Sequence, residues 1–296
     1  MKKTALITGA TSGIGRATAH EFAKYGINLV LCGRRQERLD TIQKALEKQT
    51  DVHTLNFDVR DKDETFNAIN SLPEDFKSID ILINNAGNAH GLDPIQTGNT
   101  DDWDAMMDIN VKGLLYVSKA VIPQMTVRQS GHIINIGSSA GKEVYPKGNV
   151  YCASKHAVLA ITEGMRIDLN PFGIKVCAIN PGLVETEFSQ VRFKGDVVAD
   201  SVYKGYKALQ PEDIAEIPEP VQEEIVEEQS AAEEEVVTQE TEKAQIVDSL
   251  QNAAAVAERR QTIPILANLR LKTVNGKLEV TATDLEIQIK TYSDLI

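Results

Sequence analysis

The stretch Thr4-Ala5-Leu6-Ile7-Thr8-Gly9-Ala10-Thr11-Ser12-Gly13-Ile14-Gly15 decides how the rest of this 296-residue chain is read. Thr4 to Thr8 is a short apolar run of the kind that forms a buried strand. A glycine-rich turn follows, and Arg16 to Tyr25 continues as a helical run. Strand, glycine turn, helix is the context that phosphate binding requires. The glycines let the backbone approach a pyrophosphate, and the helix start offers unpaired N–H groups and a positive dipole. A lone glycine pattern is equally an ordinary tight turn, so its neighbours must decide. The spacing is TGxxxGxG, not the commoner GxGxxG.

Those neighbours are more strands and helices in alternation. Ile27–Cys32, Val52–Phe57, Ile79–Ile83, Ile133–Gly137 and Val176–Asn180 read as strands, and Asp101–Met125 and Asn149–Leu169 as long helices. Alternation of this kind predicts an α/β fold, a Rossmann-like doubly wound parallel sheet in a three-layer α/β/α sandwich. Ligands of such sheets lie outside the carboxyl ends of the strands. Those ends carry Gly33-Arg34-Arg35, Asp58-Val59, Asn84-Asn85-Ala86-Gly87, Ser138-Ser139 and Pro181-Gly182-Leu183-Val184-Glu185-Thr186. An acidic residue after the second strand would bond a ribose 2′-hydroxyl and select NAD. Two arginines there favour the 2′-phosphate of NADP, Arg34 foremost; the bland alternative is a solvated arginine pair at a helix start.

Tyr151 and Lys155 are four apart on a helix, so phenol and ammonium share a face. A fixed positive charge there is expected to lower the tyrosine pKa toward a working value. Taken alone, the same pair occurs on many solvated helix faces.

Together Thr8–Gly15, Asn84–Gly87, Asn110, Ser138, Tyr151, Lys155 and Pro181–Thr186 resemble the short-chain dehydrogenase/reductase family, over about residues 3–216. Ser138, thirteen residues before the tyrosine, is the matching serine, and Ser139 a neighbour that packs or bonds locally. The resemblance implies Ser138, Tyr151, Lys155 and Asn110 as the catalytic set. Ser138 would bond the substrate carbonyl, Tyr151 exchange the proton, Lys155 bond the nicotinamide ribose, and Asn110 extend a proton relay through water. It implies cofactor contacts from Gly9, Thr11, Ser12, Gly13, Ile14, Gly15, Arg34, Arg35, Asp58, Val59, Asn85, Ala86, Gly87, Tyr151, Lys155, Pro181, Gly182, Val184 and Thr186, with NADP as the cofactor.

The run Glu187–Asp196 looks like the substrate loop of the NADP-dependent 3-hydroxy acid dehydrogenases, which also oxidise serine and allo-threonine and reduce malonic semialdehyde. Ser138, Tyr151 and Arg192 are then the substrate contacts. Arg192 or Lys194 either meets a substrate carboxylate or belongs to a solvated cationic loop. His90 borders the same cleft or simply faces solvent, and Trp103 packs between helices. Relatives pair through the two long helices, so a homodimer is expected, with Met106, Ile109, Leu114, Val158 and Ile161 as apolar positions for that face.

The resemblance breaks after Glu216. The family adds a seventh strand, whereas Ile217-Pro218-Glu219-Pro220 interrupts the helix. Residues 212–242 hold thirteen acidic groups and no basic one, so the net charge of −12 is local and the remainder stands at +1. This predicts a dinucleotide-binding domain over 1–216, an acidic disordered linker over 217–243 and a small α+β tail over 244–296. In the tail, Ala244–Arg260 reads as a helix and Asn275-Gly276 as a hairpin turn. Arg259–Leu269 and Leu278–Ile289 look like the start of a bacterial DNA polymerase sliding clamp. The match is shorter than one clamp domain, so it carries no clamp function, and nucleic acid is not the expected partner. Two broken family patterns suggest joined pieces of unrelated genes.

Cys32, Cys152 and Cys177 are scattered, with neither disulfide pairing nor metal-ligand spacing, which suits a reducing cytoplasm and argues against a disulfide scaffold or a zinc site. No apolar run approaches the ~18 residues of a membrane span. The leading expectation is an NADP-dependent oxidoreductase on a small hydroxyl or carbonyl substrate. The competing one is a damaged reductase that only carries an interaction tail.

Overall fold

The computed structural model describes residues 2–195, 203 and 207–216 of a first compact unit, Met1–Val221. In a second, Gln222–Ile296, it describes the backbone of three strands. The expected acidic linker and the helix Ala244–Arg260 lie outside the described residues.

The first unit is one sheet of six parallel strands: β1 (Thr4–Thr8), β2 (Asn28–Gly33), β3 (Val52–Asn56), β4 (Ile81–Asn84), β5 (Gly131–Ile136) and β6 (Ile174–Ile179). Their spatial order is β3-β2-β1-β4-β5-β6, which reverses direction between β1 and β4. The reversal leaves a crevice at the carboxyl ends of those two strands, where an open α/β sheet receives its ligand. Every strand pairing is parallel, with Thr8 opposite Cys32 and Ile7 opposite Ile83.

Side chains alternate across β1. Ala5 and Ile7 pack with Ala19 and Phe22 of helix α1 (Gly13–Lys24) and Leu39 and Ile42 of α2 (Gln36–Leu46). Leu6 points the other way, into a cluster with Ile69 of α3 (Lys62–Asn70), Val117 and Val121, and Leu169. Leu6, Ile7, Leu29, Leu31, Leu82 and Ile133 are fully buried, each burial being worth about 1.5–3 kcal/mol. β1 therefore runs through the middle of both cores, and the glycine turn at its end is held on a rigid mount.

A short α4 (Glu74–Lys77) precedes β4. The expected helix Asp101–Met125 is not uniform. α5 (Thr100–Met107), capped by the Asn99 side chain accepting from the Asp101 N–H, passes through a wider π turn over Asp108–Gly113 into α6 (Leu114–Arg128). α7 spans Asn149–Leu169, as the apolar pattern predicts. The dimer positions need correction: Met106, Ile109, Leu114 and Val158 are buried within the protomer. The exposed large apolar side chains on these two helices are Leu115, Val127 and Ile167.

β6 is the last strand of this sheet among the described residues. The chain then makes a single parallel bridge, Val184 to Leu209, and a short helix α9 (Pro211–Ala215) that packs on α1. Between them lies α8 (Phe188–Arg192), where the sequence suggested only a loop. No described helix is long and apolar enough to cross a membrane.

In the second unit, β7 (Asn268–Val274), β8 (Lys277–Thr283) and β9 (Gln288–Asp294) form an antiparallel sheet. Val274 faces Lys277, the register of a two-residue connection at Asn275-Gly276.

Candidate active site

Thr8, the last residue of β1, ties the crevice together. Its Oγ1 accepts from the backbone N–H of Asn85 and of Ala86, both at 3.0 Å, while Asn85 Nδ2 donates to the Thr8 carbonyl at 2.9 Å. Gly9 follows at φ +65, and a Cβ there would sit 2.9 Å from Asn85 Nδ2 and 3.0 Å from Ala86 Cα. A Cβ on Gly15 would lie 2.5 Å from the Gly9 carbonyl oxygen. The glycines thus let two loops meet and leave their backbone N–H groups beside a cleft of about 520 Å³. Of the site residues singled out in the sequence, all line this cleft except Gly15, His90, Asn110, Arg192 and Lys194.

At one end the cleft is cationic. Arg34 Nη1 stands 3.3 Å from Asp58 Oδ2, and Arg60 binds the same carboxylate at 2.7 Å. Burial alone would raise the Asp58 pKa; the bonds from Arg60 and the charge of Arg34 outweigh it and hold the carboxyl below its usual value. Arg35 Nη2 donates to Thr11 Oγ1 at 2.9 Å and Ser12 Oγ at 3.0 Å, and its Nη1 to Glu187 at 3.3 Å. Arg38 binds Glu187 at 2.8 Å. Four guanidiniums face two carboxylates, an excess of two positive charges.

At the other end, β5 delivers Ser138, whose Oγ accepts from the Ala140 N–H at 3.1 Å. Tyr151, on the first turn of α7, is 9% exposed. Burial pushes its phenol up to about 12, against a downward pull from its hydrogen bond with Ser138. The sign is opposite to that expected from Lys155. The Lys155 Nζ donates to the Ile136 carbonyl at 2.9 Å, and no charge of Lys155 is among the causes acting on the phenol. Burial lowers Lys155 itself to about 8. Desolvation dominates at the phenol, which packs in an apolar cluster with Ala140, Cys152 and Phe188.

Asn110 lies behind this corner in the π turn. Its Nδ2 donates to the Asn88 carbonyl at 2.8 Å and to Ser154 Oγ at 3.0 Å, and its Oδ1 accepts from the Asn88 N–H. It does not touch Tyr151 or Lys155 by any of these bonds, so its described role is to hold the loop after β4.

The structure separates the two cations of the substrate loop. Lys194 pairs with Asp102 at 2.9 Å. Arg192 instead donates to the Tyr145 hydroxyl at 3.0 Å and to the Gly91 carbonyl at 3.0 Å. His90 is half-buried, bonded to Asn88 Nδ2 through Nε2 at 2.8 Å, and its pKa is lowered by burial. Trp103 packs against the Met106, Tyr151 and Cys152 cluster.

Sequence reading missed Tyr145 and Tyr203, and it named Glu187 only as part of the substrate loop, not as a partner of Arg35 and Arg38. Tyr203 joins the Val184 carbonyl, at 3.0 Å, to Ser189 Oγ, at 2.8 Å. All three are loop residues outside any periodic pattern, placed by contacts distant in sequence.

A doubly wound sheet whose glycine turn, arginine pair and Ser-Tyr-Lys group share one cleft defines a dinucleotide-dependent oxidoreductase. Residues 3–196 match the family model of the short chain dehydrogenases, and the chain belongs to that family. It is 45% identical over 219 residues to an NADP-dependent 3-hydroxy acid dehydrogenase of Schizosaccharomyces pombe, covering 73% of this chain and 85% of that one. It is 44% identical over 219 residues to sulfoacetaldehyde reductase 2 of Chromohalobacter salexigens, covering 73% and 87%. Among solved structures, the closed form of a serine dehydrogenase complexed with NADP+ superposes with a TM-score of 0.69 at 43% identity, over 72% of this chain and 86% of that one. Residues 238–294 match the model of the DNA polymerase III beta subunit N-terminal domain.

Proposed function

We propose that this chain interconverts a small 3-hydroxy acid and its carbonyl form, of the serine, allo-threonine or 3-hydroxypropionate type. It is an NADP-dependent short-chain dehydrogenase/reductase acting on a CH–OH group. The cleft fits that cofactor. The positive φ and crowded Cβ position of Gly9 supply a floor only glycine leaves open, and Arg34 and Arg35 line the cleft where they can make charge-assisted bonds to a 2′-phosphate. Thr11, Ser12, Gly13 and Ile14 with Arg34 and Arg35 would hold the adenosine and phosphate part. Asn85, Ala86, Gly87, Pro181, Gly182, Val184 and Thr186 would hold the nicotinamide half.

What the cofactor supplies when bound is the hydride. The chain's own residues do the rest. Ser138 donates a hydrogen bond to the substrate oxygen and fixes its position beside Tyr151. Tyr151, protonated at neutral pH, gives its proton to that oxygen in the reducing direction. Lys155, anchored on the Ile136 carbonyl, presents its remaining protons toward the cleft it lines. Asn110 acts as a positioning residue through Asn88 and Ser154.

The observation that carries the substrate class is Arg192, whose guanidinium lies over the Tyr151 ring at 5.6 Å and reaches Tyr145. A half-buried cation beside the proton donor suits a substrate with a carboxylate near its reacting carbon. The test is NADP+ reduction by the full chain with serine, allo-threonine and 3-hydroxypropionate against neutral alcohols of the same size. Turnover confined to the acids supports the reading; faster turnover of the neutral alcohols overturns it.

The same proposal includes a homodimer in the cytoplasm, formed through α6 and α7. Leu115 and Ile167, with Ala153 and Ala160 exposed along α7, provide a face that two helices can approach closely.

A further inference from the structure

We propose that Glu187 sets how strongly the cleft prefers a cofactor carrying a 2′-phosphate, by competing with that phosphate for Arg35. The inference rests on the reading of the cleft as an NADP site. Glu187 follows Thr186 and approaches α2 from the segment after β6. Both of its carboxylate oxygens accept from Arg38 Nη1 at 2.8 Å. The bond from Arg35 Nη1 is longer, at 3.3 Å. Arg35 also holds the glycine turn, through Nη2 on the Thr11 and Ser12 hydroxyls.

Thr11, Ser12, Arg35 and Glu187 all line the cleft, whereas Arg38 lines only a neighbouring groove. The arrangement therefore has a strong partner outside the cleft and a weak one inside it. A phosphate reaching Arg35 takes over the long bond to Nη1, and Glu187 remains on Arg38. What persists is repulsion between the carboxylate and the bound dianion, which a cofactor without the 2′-phosphate does not feel. Asp58 faces Arg34 in a similar way. It is bound by Arg60 as well and is an expected cofactor contact, so its substitution would mix two roles.

Glu187 keeps 48% of its side-chain surface exposed, and such a pair changes affinity by about two- to fivefold. The experiment is equilibrium titration of the full chain with NADPH and with NADH, read by cofactor fluorescence without turnover. Glu187→Gln is expected to tighten NADPH by about two- to fivefold with NADH unchanged. Arg38→Gln, which leaves Glu187 wholly to Arg35, is expected to weaken NADPH selectively. Adding Glu187→Gln to it should abolish that weakening. A misfolded variant would lose both cofactors together, which the NADPH to NADH ratio separates from an electrostatic effect. An unmodified chain with no NADPH preference overturns the underlying reading. A preference that persists while Glu187→Gln leaves the ratio unchanged, or lowers it, overturns this proposal alone.

Discussion

The Arg192 guanidinium carbon sits 5.6 Å from the ring centroid of Tyr151, so the proton donor and the nearest loop cation share one corner. That relationship ties acid chemistry to recognition of a charged substrate. Arg192→Ala should raise KM for 3-hydroxypropionate by about 10- to 150-fold, the equivalent of ~1.5–3 kcal/mol for a hydrogen bond to a charged group. NADPH affinity should stay within about twofold, because Arg192 does not line the dinucleotide cleft. An unchanged KM would refute the carboxylate role.

Tyr151→Phe removes a hydroxyl and little else. The variant should bind NADPH as the parent does and lose at least ~100-fold in carbonyl reduction, the usual scale of acid–base assistance. Single-turnover reduction after confirmed NADPH binding checks this. Near-parental rates in the phenylalanine variant mean that another group supplies the proton.

Arg34→Ala should weaken NADPH by about 1.5–3 kcal/mol and leave NADH nearly untouched. Arg34 is half-exposed and shared with Asp58, which places the effect toward the lower figure. Titration of both cofactors decides it, and a loss that is equal for the two would show that Arg34 supports the loop and does not read the phosphate.

The parts of this molecule legible in its sequence are those written in local chemistry. β1 and α7 match their apolar patterns to the residue, because Thr4–Thr8 is buried on both sides and Asn149–Leu169 has an uninterrupted helical stripe. The cleft was legible too, since strand ends carry it. Tyr145 was not, because a single aromatic in a turn gains its place only when Arg192, 47 residues away, reaches its hydroxyl. Nor was the π turn at Asn110, which inserts an extra residue without changing which positions are apolar. The sign of the Tyr151 shift failed for the same reason: sequence shows the lysine's charge but not how thoroughly both groups are desolvated.

Lys155 supplies a pH dependence whose direction is fixed. Its ammonium is held at about 8 in the folded chain against 10.5 as a free side chain, because burial penalises the charge. Below about pH 8 the lysine is charged in both states, and the folded one bears the full penalty. Between 8 and 10.5 the folded lysine is neutral while the unfolded one still binds a proton, so the penalty fades as pH rises. Lys155→Met removes the charge at every pH and forfeits the bond to the Ile136 carbonyl throughout. The stability of Lys155→Met relative to the parent should therefore be most favourable near neutral pH and fall by about 3 kcal/mol by pH ~10.5. Urea unfolding of both proteins across that range measures the difference, in which titrations common to the two cancel. A difference that is flat with pH, or that moves in favour of Lys155→Met as pH rises, would mean that Lys155 is not held as a desolvated cation.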